Sequence, residues 1–319
     1  MIDCLIITSG NENTPSTRIR ILDIFPRFKR LKYRVVLQRN RSFLSLPFLV
    51  LTSRAIIFQK RFPPLWSVHF LLFIGKKIFF DVDDAVYLNY EHKKRLSLER
   101  FVARCTAIFV GNEYLKKHFL QFNLRVYVIP TGIDSIKPKV QVQEAKVIVG
   151  WIGTSANFKY LEELNDIFKK LTENFGSRLE IIIVSDKPPK FRDNFNYEFR
   201  TWSLAVERKT LEVLNIGLMP LDINSEWVRG KCAFKMLLYM SHSIATVSSN
   251  VGANAEIISS QRNGILVETQ SEWFESLSLL IENADLRNEI ASNGWKMSQE
   301  HYLKENIAMK LEDVLQKHI

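Results

Sequence analysis

The sequence predicts an α/β protein made of two doubly wound domains in tandem, and three observations carry that expectation. Short apolar runs alternate with helix-patterned stretches along the chain, as in a parallel sheet covered by helices. The series of runs starts afresh after a polar break near the middle. The length of 319 residues accommodates two cores at ~150 residues per domain.

In the first series Asp3–Thr8, Arg34–Gln38, Ala55–Gln59, Lys77–Phe80, Ala107–Val110 and Val126–Ile129 read as strands, with helices between most of them. The break is Asp134–Ala145, polar and holding Pro138, which reads as an interdomain linker. The second series runs through Lys146–Ile152, Leu179–Val184, Tyr197–Phe199, Ile216–Pro220 and Ile244–Ser248. After it, Leu286 and Ile290, then Ile307, Leu311 and Leu315, recur at helical spacing, which predicts one or two closing helices with a break near Asn293–Gly294.

Composition narrows the function. With 46% hydrophobic and 12% aromatic residues the chain is neither disordered nor collagen-like. Lys and Arg number 44 against 34 Asp and Glu, a formal charge of +10 that suits nucleic acid, an anionic membrane surface or phosphorylated ligands. Cys4, Cys105 and Cys232 have no paired spacing and the six histidines none suited to a metal, so neither a disulfide framework nor a zinc site is expected. A reduced, cytoplasmic setting follows as the expectation. Met1–Thr8 lacks a basic leader, and Phe62–Gly75 and Ser42–Ser53 fall short of the roughly 18 residues of a spanning helix.

Ligands of open α/β sheets bind at the carboxyl ends of strands, so the loops that follow strands matter most. Gly153-Thr154-Ser155-Ala156-Asn157 precedes a helix expected near Tyr160; its amides suit a phosphate, or form an ordinary capped turn. Arg229, Lys231 and Lys235 gather at another helix start, where the dipole opposes cations; they suit a diphosphate, or form a solvated basic turn. Asp81-Val82-Asp83-Asp84 ends a strand, and the Asp-X-Asp spacing also suits a metal clamp, a reading discounted because the motif sits in the first domain. Thr14–Arg20 follows the first strand; Ser16 suits a cap, and Arg18 and Arg20 suit a phosphate, or the stretch is a capped turn with surface charge. Phe43–Phe80 mixes Phe43, Leu44, Phe48, Trp66, Phe70 and Phe73 with Arg54, Lys60, Arg61, Lys76 and Lys77, the combination an interfacial surface uses, although much of it must be core.

Six motifs occur in order: Pro15-Ser16-Thr17-Arg18, Phe80–Ala85, Ile129–Asp134, Gly150-Trp151-Ile152-Gly153, Gly230–Lys235 and Val251–Glu256. Together they resemble bacterial glycosyltransferases of family 4, of the cell-surface polysaccharide type, over nearly the whole chain. The resemblance implies the GT-B fold, two Rossmann-like domains facing each other across a cleft. Residues 1–134 would form the acceptor domain, with a helix at about 302–319 packing back on it, and residues 135–301 the nucleotide-sugar domain. It implies a retaining, metal-independent hexosyl transfer from a nucleoside diphosphate sugar, with no further cofactor, to a saccharide or lipid-linked glycan. Lipopolysaccharide synthesis is one such setting, on the cytoplasmic side with peripheral contact to the inner face of an anionic membrane.

Residue by residue, the resemblance places Gly153, Thr154, Ser155, Trp202, Lys231, Lys235 and Asn254 on the donor, with Lys159 near its phosphates. Asp83 and Asp84 take the catalytic position, and Ser16 and Arg18 the acceptor side. Where relatives carry two glutamates eight residues apart, this chain has Gly230 and Leu238. That departure motivates an alternative, a catalytically impaired nucleotide-sugar-binding or scaffold protein of the same fold. No nucleic-acid motif is present, and no nucleic-acid partner is expected.

Overall fold

The computed structural model describes residues 2–37, 46–138 and 146–319. Gln38, Phe43, Leu44 and residues 139–145 of the expected linker lie outside the described residues. The chain divides into two compact units, each built on a six-stranded parallel sheet. The first comprises Met1–Gly132, Arg229–Cys232 and Tyr302–Ile319, and the second Ile133–Val228 and Ala233–His301.

The first unit contains β1 (Ile2–Ile7), β2 (Tyr33–Val36), β3 (Ser53–Gln59), β4 (Lys77–Val82), β5 (Ala107–Val110) and β6 (Val126–Val128), in the order β2-β1-β3-β4-β5-β6. Central strands of such a sheet are covered on both faces and read as continuous apolar runs; in β5 every residue is buried. Alternation sorts the side chains: Ile57, Phe79 and Phe109 point to the face packed by Ile307, Leu311 and Leu315 of the helix Lys304–His318. On the other face Phe58 and Phe80 meet Phe101 edge-on.

The second unit contains β7 (Val147–Ile152), β8 (Leu179–Ser185), β9 (Glu198–Thr201), β10 (Ile216–Met219), β11 (Ala245–Ser249) and β12 (Ile265–Val267), in the order β12-β11-β10-β7-β8-β9. Its largest core cluster runs from Trp151 and Phe168 through Leu218 and Val247 to Leu277 and Ile290.

Two expectations need correction. The three-residue edge strand β12, absent from the sequence reading, is too short to show a period. The expected break at Asn293–Gly294 does not occur: Ala284–His301 is one helix, and the chain turns at Tyr302–Leu303. A Cβ at Gly294 would lie 3.0 Å from the Asn263 carbonyl oxygen and 3.2 Å from Met240 Cγ, so this glycine serves close packing rather than termination.

Candidate functional sites in the two units

Strand order locates the first site. The chain reverses its direction of winding between β1 and β3, and the crevice at the carboxyl ends of strands beside such a reversal is where ligands bind. Gln59, wholly buried, ends β3; its amide donates to the Ser16 carbonyl and its oxygen accepts from Thr17 Oγ1 at 3.0 Å. Lys60 follows with φ of 55°, a left-handed conformation costing about 1–2 kcal/mol for a residue with a Cβ. It aims the ammonium at two carboxylates: Nζ lies 2.7 Å from Asp83 Oδ1 and 2.5 Å from Asp84 Oδ2. Ser16 Oγ donates to Asp83 Oδ1 at 3.3 Å.

Asp81, one register earlier, is bound by Arg20, whose Nε and Nη2 grip its two oxygens at 3.1 and 2.5 Å while Nη1 donates to the Ile129 carbonyl. Arg20 is therefore spent on the fold and does not face a phosphate, correcting the sequence reading. Ser16 is not the helix cap either; Thr14 holds the cap position and Ser16 belongs to the carboxylate cluster. Arg18 is partly exposed at the end of that short turn.

The two carboxyls are driven apart. Burial opposes charge at Asp83, yet Lys60 and then Arg20, with hydrogen bonds from Lys60 and Ser16, hold it below the ordinary carboxylate range. Burial and the Asp83 charge push Asp84 above that range, against Lys60 and Lys231. At Lys60 itself burial opposes the ammonium, but Asp83 and Asp84 outweigh it and hold the group above the usual lysine range. The result is one firmly ionised carboxylate beside one that takes a proton more readily, the arrangement that separates acid from base roles. Both are already engaged by the Lys60 ammonium, which argues against the metal-clamp reading of the Asp-X-Asp spacing.

Arg229–Cys232 completes this unit. Asn112 caps the helix Glu113–Phe119 with its oxygen and donates its amide to the carbonyls of Arg229 and Lys231 at 3.1 and 3.0 Å. Cys232 Sγ donates to the Asp83 carbonyl at 2.9 Å. Gly230 packs on Ala85, where an added Cβ would lie 2.7 Å from Ala85 Cβ and 2.8 Å from its nitrogen. The backbone here leaves no room for the glutamate found in relatives.

In the second unit the winding reverses between β7 and β10. Gly153 follows β7, and its amide donates to the Val184 carbonyl. The helix Phe234–Ser241 supplies a cation from above: Lys235 Nζ stands 4.3 Å from the Trp151 ring centre and 2.1 Å from where a Gly153 Cβ would be. Any other residue at 153 would displace it. Tyr239, one turn along the same helix face, accepts the Ile152 amide on its hydroxyl at 2.8 Å and is fully buried. Helix and strand end are thereby locked together beneath Lys235.

The remaining predicted donor residues divide. Thr154 precedes a single turn at Ser155–Asn157 and accepts from the Asn157 amide; the helix that follows is Phe158–Glu162. The Ser155 amide and hydroxyl both donate to Asp186, at 2.7 Å each, so they are not the open phosphate donors expected from the sequence. Those bonds, the amide first, hold the Asp186 carboxyl down to about 2. Lys159 lies over the Tyr160 ring. Trp202, 39% exposed beyond β9, donates Nε1 to Glu207. Asn254 is buried and donates to the Ser249 carbonyl, closing its own loop rather than offering free donors. Lys231 lies in the first unit and Lys235 in the second.

Lys60, Asp186 and Tyr239 were missed as site residues. Lys60 directly follows an apolar strand, which was a usable signal, but it was grouped with the basic surface of its neighbours. Asp186 likewise follows β8, whereas nothing in the sequence ties Tyr239 to β7.

Residues 146–283 match the family model described as "Glycosyl transferases group 1". Among solved structures, HepE from Anabaena in complex with UDP and glucose superposes with a TM-score of 0.73 at 12% identity, covering 99% of this chain and 100% of that one. A glycosyltransferase from Rickettsia africae gives 0.72 at 11% identity, covering 99% and 98%. Sucrose-phosphate synthase from Thermosynechococcus elongatus gives 0.70 at 10%, covering 99% and 98%. No curated protein sequence matches the chain. Residues 146–283, in the second half of the chain, thus match the group 1 glycosyltransferases, and the chain as a whole, with its two six-stranded parallel sheets, has the fold of GT-B glycosyltransferase structures.

Proposed function

We propose that this glycosyltransferase moves a hexosyl unit from a uridine diphosphate sugar to a saccharide acceptor, with retention of configuration and without a metal. The observation that carries the donor half is Lys235, held over Gly153 at the winding reversal of the second unit by the anchor at Tyr239. An ammonium there meets the donor diphosphate and neutralises the charge that develops as the sugar leaves. Lys231 is the second cation of the proposal. Gly153 and Thr154 face the phosphates, with Ser155 shaping their loop through Asp186, and Trp202 lines the base. Asn254 shapes the loop on the far side. The uridine choice draws on HepE, whose structures hold UDP with glucose and UDP-glucose.

The first unit takes the acceptor. Asp83, ionised and steadied by Lys60, orients the acceptor hydroxyl and offsets positive charge at the anomeric carbon, with Asp84 beside it and Ser16 and Arg18 on the acceptor. The acceptor oxygen attacks the face from which the diphosphate departs. The bond from the anomeric carbon to the phosphate oxygen breaks, the new glycosidic bond forms, and the acceptor proton passes to the leaving phosphate. A lipid-linked glycan at the inner face of the cytoplasmic membrane, in cell-surface glycan synthesis, is the acceptor class this reading favours.

A thermal-shift panel of UDP-, GDP-, dTDP- and CMP-sugars tests it on the wild type, Lys235→Ala and Lys231→Ala. Stabilisation by the uridine donor, lost in Lys235→Ala, is expected. Removing one charge-assisted contact worth about 1.5–3 kcal/mol weakens binding roughly 10- to 150-fold. No shift with any nucleotide sinks the donor assignment. A shift without sugar transfer to any acceptor selects the scaffold reading instead.

A further inference from the structure

The helix Leu65–Phe73 is apolar except for Ser67 and His69. Val68 and Leu71 are buried against the first unit, while Trp66, Phe70 and Phe73, spaced i, i+4 and i+7, point outward at 74%, 52% and 88% exposure. A helix hydrophobic nearly all round belongs in a core or in lipid, and this one has solvent on its aromatic face. Lys76 extends the patch: its ammonium donates to the carbonyls of Leu51 and Ser53 at 2.8 and 2.6 Å, tying the end of the helix Leu46–Thr52 to the turn after Phe73. Phe48 and Leu51 of that helix are also exposed. Contiguous exposed apolar surface of this kind marks an interaction site.

The sequence that carries the patch is basic, although Arg27, Arg30, Arg54 and Lys60 in it pair with carboxylates from elsewhere in the unit. From Ile24 to Phe80 the sequence holds 12 Lys and Arg and no Asp or Glu. Beside the start of the helix lies a groove of about 760 Å³ lined by Arg61, Pro63, Tyr90, Lys93 and Lys94, with Glu91 as its one carboxylate. Lys94 sits 3.9 Å over the Tyr90 ring there. Aromatic side chains ringed by cations are what an anionic lipid surface binds. A second copy of the chain would bring the same positive field against itself in a two-fold contact.

We propose that the outward face of Leu65–Phe73, with Phe48 and Leu51, seats the first unit in the headgroup layer of an anionic bilayer. The basic groove beside it takes lipid phosphates. Nine residues rise only about 13 Å, so the helix lies in the interface and does not cross it. The inference deepens the lipid-linked acceptor reading; vesicle binding needs no transfer assay, so the two can fail separately.

The test is flotation with vesicles of phosphatidylcholine alone and of phosphatidylcholine with phosphatidylglycerol, at low and high salt. The proteins are the wild type, Trp66→Ser/Phe70→Ser/Phe73→Ser and Lys93→Glu/Lys94→Glu, each checked for folding by circular dichroism. The altered positions are exposed, so the fold is retained. Wild type should float with anionic vesicles only, less at high salt, and both variants should bind at least about tenfold more weakly. A blue shift of tryptophan emission on binding should be reduced in Trp66→Phe. Three results overturn the proposal: no flotation of the wild type, undiminished flotation of the aromatic variant, or a dimer in light scattering that this variant abolishes while vesicles leave the protein unbound.

Discussion

Lys60→Met keeps the length of the side chain and removes its charge from between Asp83 and Asp84, which lie 2.7 and 2.5 Å from Nζ. Breaking a buried ion pair by deleting one partner costs about 3–5 kcal/mol. Lys60 and Asp84 keep 17% and 31% side-chain exposure, and Ser16 still donates to Asp83. The expected loss is therefore a little below that range, about 2–3 kcal/mol. At roughly 2–4 °C per kcal/mol for a unit of this size, the melting temperature of the first unit falls by about 4–12 °C near neutral pH.

The pH dependence carries the sharper check. In the wild type the Asp83 carboxyl sits below its ordinary 3.8, so its stabilisation is present above that value and disappears only as pH falls through the lower, folded one. Lys60, raised, contributes at every pH below its ordinary 10.5. Without Lys60, Asp84 rises further above its unfolded value through burial and the Asp83 charge, and Asp83 rises from its depressed value, keeping only Arg20 and Ser16 to hold it down. The penalty is then full at high pH and relieved as pH falls and Asp84 takes up its proton. Scanning fluorimetry from about pH 8 to pH 5 should show the gap to wild type narrowing, with Lys60→Arg close to wild type throughout. A gap that stays constant across that range, or no gap at pH 8, would refute the ion-pair account.

Tyr239→Phe leaves the Ile152 amide without its buried acceptor, which costs about 1–3 kcal/mol, lowers the melting temperature and weakens nucleotide binding because Lys235 rides on the same helix face. Calorimetric unfolding and a nucleotide titration check both. Gly230→Glu, which restores the glutamate of relatives, should lose about 1–3 kcal/mol through overpacking on Ala85 and gain no transfer activity; wild-type stability in a thermal melt would contradict the packing argument. Asp186→Ala frees the Ser155 amide and should speed hydrogen exchange at Gly153–Asn157. It also removes stabilisation that the wild type keeps above pH 3.8 and loses as pH falls through about 2, so the two proteins should converge in strong acid.

The fold was legible because a parallel sheet buries its central strands on both faces. Runs such as Ala107–Val110 carry no polar interruption, and the polar break at Asp134 marks the restart. The edges were less legible: β12 has three residues, and Gly294 obeys a neighbour on another element rather than its own helix. The family resemblance lay in the order of six short motifs, none of which would have served alone. The site was legible only in residue type. That Asp83 and Asp84 would sit in a charged cluster could be guessed from three carboxylates at one strand end. That Lys60 binds two of them follows from β3 lying beside β4, and that Lys235 overhangs Gly153 follows from β10 lying beside β7. Strand order is a property of the folded chain, and pairings such as Arg20 with Asp81 depend on it.

One consequence of the interleaved units concerns synthesis. The sheet formed from the earliest residues is sealed by Ile307, Leu311 and Leu315, which are translated after the whole of the second unit. As the chain leaves the ribosome, the face bearing Ile57, Phe79 and Phe109 stays open while roughly 170 later residues emerge at about 5–20 per second. The second unit, contiguous except for Arg229–Cys232, closes first. The nascent protein thus holds an unfinished apolar sheet for some ten to thirty seconds, the interval in which chaperone capture matters most.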